Sequence, residues 1–214
     1  MPTPHETAGK EETGMNLLLR ISRAIDWLNE RVGRAILWLV LAAVLISAAN
    51  ATVRKLFNVG SNAFLEVQWY LFSAIFLLCA GYTLLRNEHV RIDVLVHRFS
   101  KRTQMWIDIF GIVVFLLPAA ALIGWLSWPL FVKAYLSGEM SENAGGLIRW
   151  PAYLLMPVGF LLLVLQGISE LIKRFAFLQG LIPDPTARKQ QKSAEEELAE
   201  AIKAEAEAAG GRAK

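Results

Sequence analysis

Four apolar runs, each about as long as the 20 or so residues that a helix needs to cross a bilayer, dominate this chain. They are Ala35 to Val53, Phe64 to Leu85, Trp106 to Trp128 and Trp150 to Leu171. No segment of domain size lies between or outside them. The 55% hydrophobic content and mean hydropathy of +0.40 are thus concentrated in blocks rather than spread at the spacing of a soluble core. The expected fold is an all-α integral membrane protein with four transmembrane helices.

The spans divide the 22 Lys and Arg residues unevenly. Eighteen lie before the first span, between the second and third, or after the fourth, and only Arg54, Lys55, Lys133 and Arg149 lie in the other two connections. Basic residues beside spanning helices favour the cytoplasmic face, so both termini are expected inside the cell. The same distribution accounts for a pI near 9.1 through anionic headgroups, without nucleic acid. Ala49-Asn50-Ala51 has the small-x-small pattern of a signal-peptidase site. The long polar leader and the length of the run favour an uncleaved first span.

Residues 1–14, with Pro2, Pro4 and Gly14, are expected to be disordered. From 15 to 33 the residues Leu18, Ile21, Ile25, Leu28 and Val32 recur at spacings of three and four, predicting an amphipathic helix that lies on headgroups with Trp27 at the interface. A shorter in-plane helix is expected over about 90–102, where Ile92, Leu95, Val96 and Phe99 share one face.

The third apolar block continues to Tyr135, about 45 Å of helix against a core of about 30 Å. Pro118 predicts a kink within it, and Pro129 is expected to end the helix near Trp128. Pro157 threatens the start of the fourth span, whereas Pro151 suits a helix start. Residues 183–214 form a polar tail rich in Ala, Glu and Lys, with a solvated helix plausible over 194–209 after the capping-box spacing Ser193 to Glu196.

Ionisable groups buried in lipid are the default functional candidates, and the spans hold only Glu66, Asp108 and Glu170. Each lies within about one turn of a span end, where snorkelling or pairing explains it. Ser47, Asn50, Ser73, Tyr82, Gln68 and Gln166 can bond neighbouring helices. His5, His89 and His97 all fall outside the spans, which disfavours bis-histidine haem, and the spacing of the last two does not suit one zinc ion. Cys79 has no second cysteine for a disulfide or redox pair, and no Gly-rich phosphate loop is present. No catalytic, cofactor or metal site is expected.

The pattern Glu66-x-Gln68-Trp69-Tyr70-Leu71-Phe72, then Gly81, Arg86 and His89-Val90-Arg91-Ile92-Asp93, resembles the small permease subunit of tripartite ATP-independent periplasmic (TRAP) transporters, the DctQ-like family. Arg149-Trp150-Pro151-Ala152-Tyr153, with Pro157, Gly159 and Phe160, looks like that family's fourth span. The likeness covers roughly Ile36 to Phe175 and leaves out the leader and the tail.

The resemblance implies a non-catalytic subunit in the bacterial inner membrane that packs against a large multi-span permease. In that family the large subunit holds the substrate and sodium sites, and a periplasmic binding protein delivers the substrate, often an organic acid. Candidate docking residues are Glu66, Gln68, Arg86, His89, Asp93 and Arg149, fixing the ends of the second span and the in-plane helix through charge pairs. Two other readings stay open: a stand-alone dimeric transporter that uses Glu66 as its coupling acid, and a tetraspan scaffold of another membrane complex.

Overall fold

The computed structural model describes residues 4–57, 62–87, 99–183 and 202–203, with side chains of the first helix described from Gly14. The chain divides into two units, Met1–Ile182 and Pro183–Lys214. In the second, Pro183, Ile202 and Lys203 are described, the last two helical, so the rest of the helix expected over 194–209 lies outside the described residues.

The first unit is helical throughout its long segments: α1 (Pro4–Phe57), α2 (Asn62–Leu85), α3 (Lys101–Gly111), a π-helical turn (Ile112–Leu116), α4 (Leu117–Ser137) and α5 (Trp150–Leu178). Among the described residues four stretches are long and apolar enough to cross a membrane: Gly14–Phe57, Asn62–Leu85, Lys101–Ser137 and Trp150–Leu178. Among the described residues the β-structure is limited to one isolated bridge, Met140 with Ile148. The all-α expectation holds.

The helix boundaries follow local chemistry. Ser100 caps α3 by accepting the Thr103 N–H at 3.3 Å. Asn87, at φ 55°, turns the chain out of α2 in the left-handed conformation that Asn tolerates. Gly180, at φ 77°, closes α5, with Leu181 N–H reaching the Ala176 carbonyl at 3.0 Å and Gly180 N–H reaching Phe177 at 2.9 Å, a Schellman arrangement.

Two expectations are corrected. The leader and the amphipathic segment are not separate from the first span, because α1 is one helix of 54 residues that begins at Pro4. Proline suits a first helical position, the Ala, Glu and Lys residues that follow are good helix formers, and each glycine costs only about 1 kcal/mol. Pro129 does not end its helix, since α4 continues to Ser137. Within an apolar surrounding a lost hydrogen bond is less costly than unwinding further carbonyls. The in-plane helix expected over about 90–102 lies mostly outside the described residues, while Lys101 and Arg102 belong to α3.

Pro118 follows a wider turn of the helix. The five residues before α4 form the π turn, in which the Leu117 N–H bonds the Ile112 carbonyl. An extra residue in the turn gives the proline ring room against the carbonyl four residues back.

α5 packs against every other element of the unit, α1 and α2 also pack on each other, and α4 packs extensively only on α5. Gly159 permits the close α2–α5 approach: a Cβ there would stand 2.7 Å from the Leu77 carbonyl oxygen. Along α1 the buried positions Ser22, Asn29, Ile36 and Ala43 recur every seven residues, the period of a supercoiled helix seam. The apolar stripe expected to bind headgroups faces outward too, with Leu18 42% and Ile21 45% exposed. It does so on a helix continuous with the span rather than on one lying in the membrane plane.

Candidate functional site

Polar side chains collect at the two ends of the bundle. At the Arg86 end, the seam of α1 brings Ser22, Asp26 and Asn29 onto Gln166, Ser169 and Lys173 of α5. Asp26 accepts from Ser169 Oγ at 2.6 Å, from Gln166 Nε2 at 2.9 Å and from Lys173 Nζ at 3.2 Å. The Ser22 and Ser169 hydroxyls share a bond of 2.7 Å, and Asn29 Nδ2 donates to Gln166 Oε1 at 3.0 Å.

Glu170 extends the network, pairing with Lys173 and Arg174 on its own helix. Arg174 in turn reaches Asp108 of α3 at 3.3 Å. Its guanidinium is almost wholly enclosed, at 1% exposure, and a charge in that position is tolerated only because carboxylates meet it from two helices. Asp108 and Glu170 are therefore paired, one of the two outcomes expected from their positions near span ends.

Arg86 sits where α2 stops. It pairs with Glu30 of α1 at 2.5 Å, donates to the Tyr82 hydroxyl at 3.1 Å and lies 5.2 Å from the centre of that ring. The Tyr82 hydrogen bond, followed by the Glu30 charge, raises its pKa and keeps it cationic. Arg34 shares Glu30 at 3.3 Å, so one carboxylate ties the end of α2 to two turns of α1.

At the opposite end Glu66, in the first turns of α2, holds the connection between α4 and α5. Its carboxylate accepts the Leu147 N–H at 2.6 Å, Asn143 Nδ2 at 2.8 Å and the Ser141 hydroxyl. That connection folds back on itself through the Met140–Ile148 bridge, with Ser141 N–H to Leu147 oxygen at 2.9 Å and Arg149 N–H to Glu139 oxygen at 3.0 Å. Tyr70 donates to the Ile148 carbonyl at 3.0 Å and adds a second tie from α2.

Arg149 stands just before α5, bonded to Glu139 at 2.7 Å and 5.9 Å from the Tyr153 ring. The Glu139 hydrogen bond raises its pKa.

Of the six candidate residues, Glu66 and Arg149 meet the same connection, and Arg86 lies at the other end of the bundle. Gln68 is half-buried on α2 and joins none of these bonds. His89 and Asp93 lie outside the described residues. Sequence reasoning missed the cluster built on Asp26, Lys173 and Arg174. The seven-residue recurrence of Ser22, Asn29, Ile36 and Ala43 was the available signal, because a polar seam at that period marks a packed face as surely as an apolar one.

Near the middle of the molecule α4 and α5 leave an apolar groove of about 420 Å³, lined by Ala120, Gly124, Trp125, Pro157, Leu161 and neighbouring residues. Trp128, which also lines it, forms with Phe131, Tyr135 and Trp150 an aromatic cluster with ring centres 5.4 to 6.5 Å apart.

The long apolar helices, the absence of any strand among the described residues and the polar ties at both ends agree with comparison to known families. Residues 43–177 match the family of tripartite ATP-independent periplasmic transporters, DctQ component. No curated protein and no solved structure matches the chain. The match takes in most of α1's apolar half, all of α2, α3 and α4, and nearly all of α5, and on that extent the chain belongs to the DctQ component family of TRAP transporters, as a small membrane subunit.

Proposed function

We propose that this subunit acts as a fixed scaffold that anchors a large permease subunit in the bacterial inner membrane. The permease takes up an organic acid, delivered by a periplasmic binding protein, and draws on an ion gradient, with sodium as the coupling ion. Both termini are cytoplasmic in this reading, on the strength of the uneven charge distribution. The observation that carries it is the commitment of the polar groups to internal ties: Asp26, Glu170, Lys173 and Arg174 brace α1 and α3 onto α5. Such cross-bracing suits a body that stays still while a partner moves. A translocating protein needs, near mid-membrane, a substrate-sized polar cavity or unwound backbone.

Glu66, Gln68, Arg86, His89, Asp93 and Arg149 contribute to docking in this proposal by fixing the ends of α2 and the start of α5. Glu66 already accepts three hydrogen bonds from the α4–α5 connection, which disfavours its use as the coupling acid of a stand-alone dimer. The test is copurification and uptake with a co-expressed large permease subunit. Arg86→Ala and Asp93→Ala are expected to impair both more than Lys101→Ala does. Equal effects of the three on copurification would remove the docking claim, and transport by this chain alone in proteoliposomes would overturn the scaffold reading.

A further inference from the structure

We propose that the π turn between α3 and α4 is a one-residue register joint. It takes up a residue in excess of the seven-residue seam of the stretch Lys101–Ser137, so that α3 and α4 each keep their own seating on α5.

The inward-facing positions carry the argument. Met105 and Ile112 are seven residues apart, as are Ala120, Ser127 and Ala134, but Ile112 and Ala120 are eight apart, and all five are buried. A second row repeats the pattern. Leu117, Gly124 and Phe131 are seven apart, whereas Ile109 and Leu117 are eight apart, and none of these is exposed. The surplus residue of the first row lies between 112 and 120, and that of the second between 109 and 117. The two intervals overlap over 112–117, where the π turn Ile112–Leu116 lies. Leu116, the seventh residue after Ile109, and Leu117, the eighth, both press on α5: a Cβ at Gly167 would stand 2.9 Å from the first side chain and 3.0 Å from the second.

In an undistorted α-helix each residue turns the chain by about 100°, so an uncorrected surplus would swing α3 by that angle relative to α4. Asp108 would leave Arg174, and Met105 and Ile109 would turn out of the packed face. The turn prevents this because the Leu117 N–H bonds the Ile112 carbonyl, five residues back rather than four, and so fits the extra residue into one circuit. Pro118 gains room from the wide turn, but the number of residues, not the proline, sets the register.

The test uses the full chain in membranes, carrying Cys79→Ser. Trp106→Cys with Phe175→Cys reports how α3 faces α5, because the native rings stand 6.3 Å apart. Tyr135→Cys with Trp150→Cys, at rings 5.7 Å apart, reports the other end of α4. A short bifunctional thiol reagent is applied to each pair, and linked peptides are read by mass spectrometry. Three changes are compared: deletion of Val114, which is exposed in the turn, insertion of one alanine after Val114, and Pro118→Ala.

Deletion leaves an unbroken seven-residue seam, so both crosslinks are expected to persist, and Pro118→Ala should also keep both. Insertion makes the surplus two residues, and the 106–175 crosslink is expected to be lost while 135–150 remains. Loss of the 106–175 crosslink on deletion, or its persistence on insertion, would overturn the proposal. Its loss in Pro118→Ala would do so too, by assigning the turn to the proline. The deletion and Pro118→Ala decide the matter even if the inserted chain fails to assemble.

Discussion

Asn29 of α1 donates a hydrogen bond of 3.0 Å to Gln166 of α5, and neither side chain is exposed. The polarity of that bond is imposed from elsewhere. Asp26 and Glu170 accept only, so the Gln166 amide nitrogen must face them, at 2.9 and 3.3 Å, and its oxygen must face Asn29. Asn29 then has to present its nitrogen, and its own oxygen is left without a hydrogen-bond donor against Gly81. A Cβ at position 81 would stand 2.2 Å from that oxygen, so glycine is what allows the contact.

Gln166→Ala should therefore cost more than one hydrogen bond, because it leaves the Asn29 amide without its partner on α5 and removes a donor from Asp26. A loss of about 1–3 kcal/mol is expected. Melting of the purified subunit in detergent measures it, and a double-mutant cycle with Asn29→Ala should show non-additivity, because the two residues share one bond.

Arg174→Ala removes the cation from between Glu170 and Asp108. Breaking a buried pair by removing one partner costs about 3–5 kcal/mol. Arg34→Ala touches an exposed pair and should stay within about 0.5 kcal/mol. Parallel melts of the two variants check the contrast, and equal shifts would contradict it.

Two glycines in helical segments should respond with opposite signs. At Gly159 a Cβ meets the Leu77 backbone at 2.7 Å, so Gly159→Ala forces α2 and α5 apart, at a cost of about 1–3 kcal/mol. At Gly111 a Cβ meets nothing within 4 Å, so Gly111→Ala should gain up to about 1 kcal/mol from helix propensity. Thermal unfolding in the same detergent reads both.

Glu66→Ala should release the connection between α4 and α5, since three bonds converge on that carboxylate. The expected outcome is faster proteolysis within 139–149, with α2 itself intact. Glu66→Gln keeps one accepting oxygen and should be cut at an intermediate rate. Identical cleavage of the two variants and the unmodified chain would show that Met140–Ile148 pairing holds the connection by itself.

Much of the architecture was legible because the bilayer requirement is so coarse. The apolar runs predicted all four long helices, and the end of the second run at Leu85 coincides with the end of α2. Charge near the span ends identified Asp108 and Glu170 as groups that pair or snorkel, and they pair. The orientation of α1 was not legible by the rule used for soluble helices, in which the apolar stripe faces inward.

Here Leu18 and Ile21 face out, while Ser22 and Asn29 face in. In a membrane bundle the exterior is itself apolar, and polar contacts between helices are part of what selects the packed face. Pro129 misled for a related reason: its effect on a helix depends on neighbours and solvent that a local reading does not contain. Glu66 was identified as a candidate, yet its partners Ser141, Asn143 and Leu147 lie more than 70 residues along the chain. No local pattern could have connected them.

The position of α5 in the chain bears on how the protein is made. It is the last of the four long helices to be synthesised, and it is the one that supplies Gln166, Ser169 and Lys173 to Asp26 and Arg174 to Asp108. Until it enters the membrane, the polar seam of α1 lacks most of its partners. The earlier helices can be threaded into lipid in turn, but their mutual arrangement becomes definite only as the final one arrives. A nascent chain stalled before Trp150 would display those unmatched groups, a chemical difference by which a membrane protease could tell an unfinished subunit from a finished one.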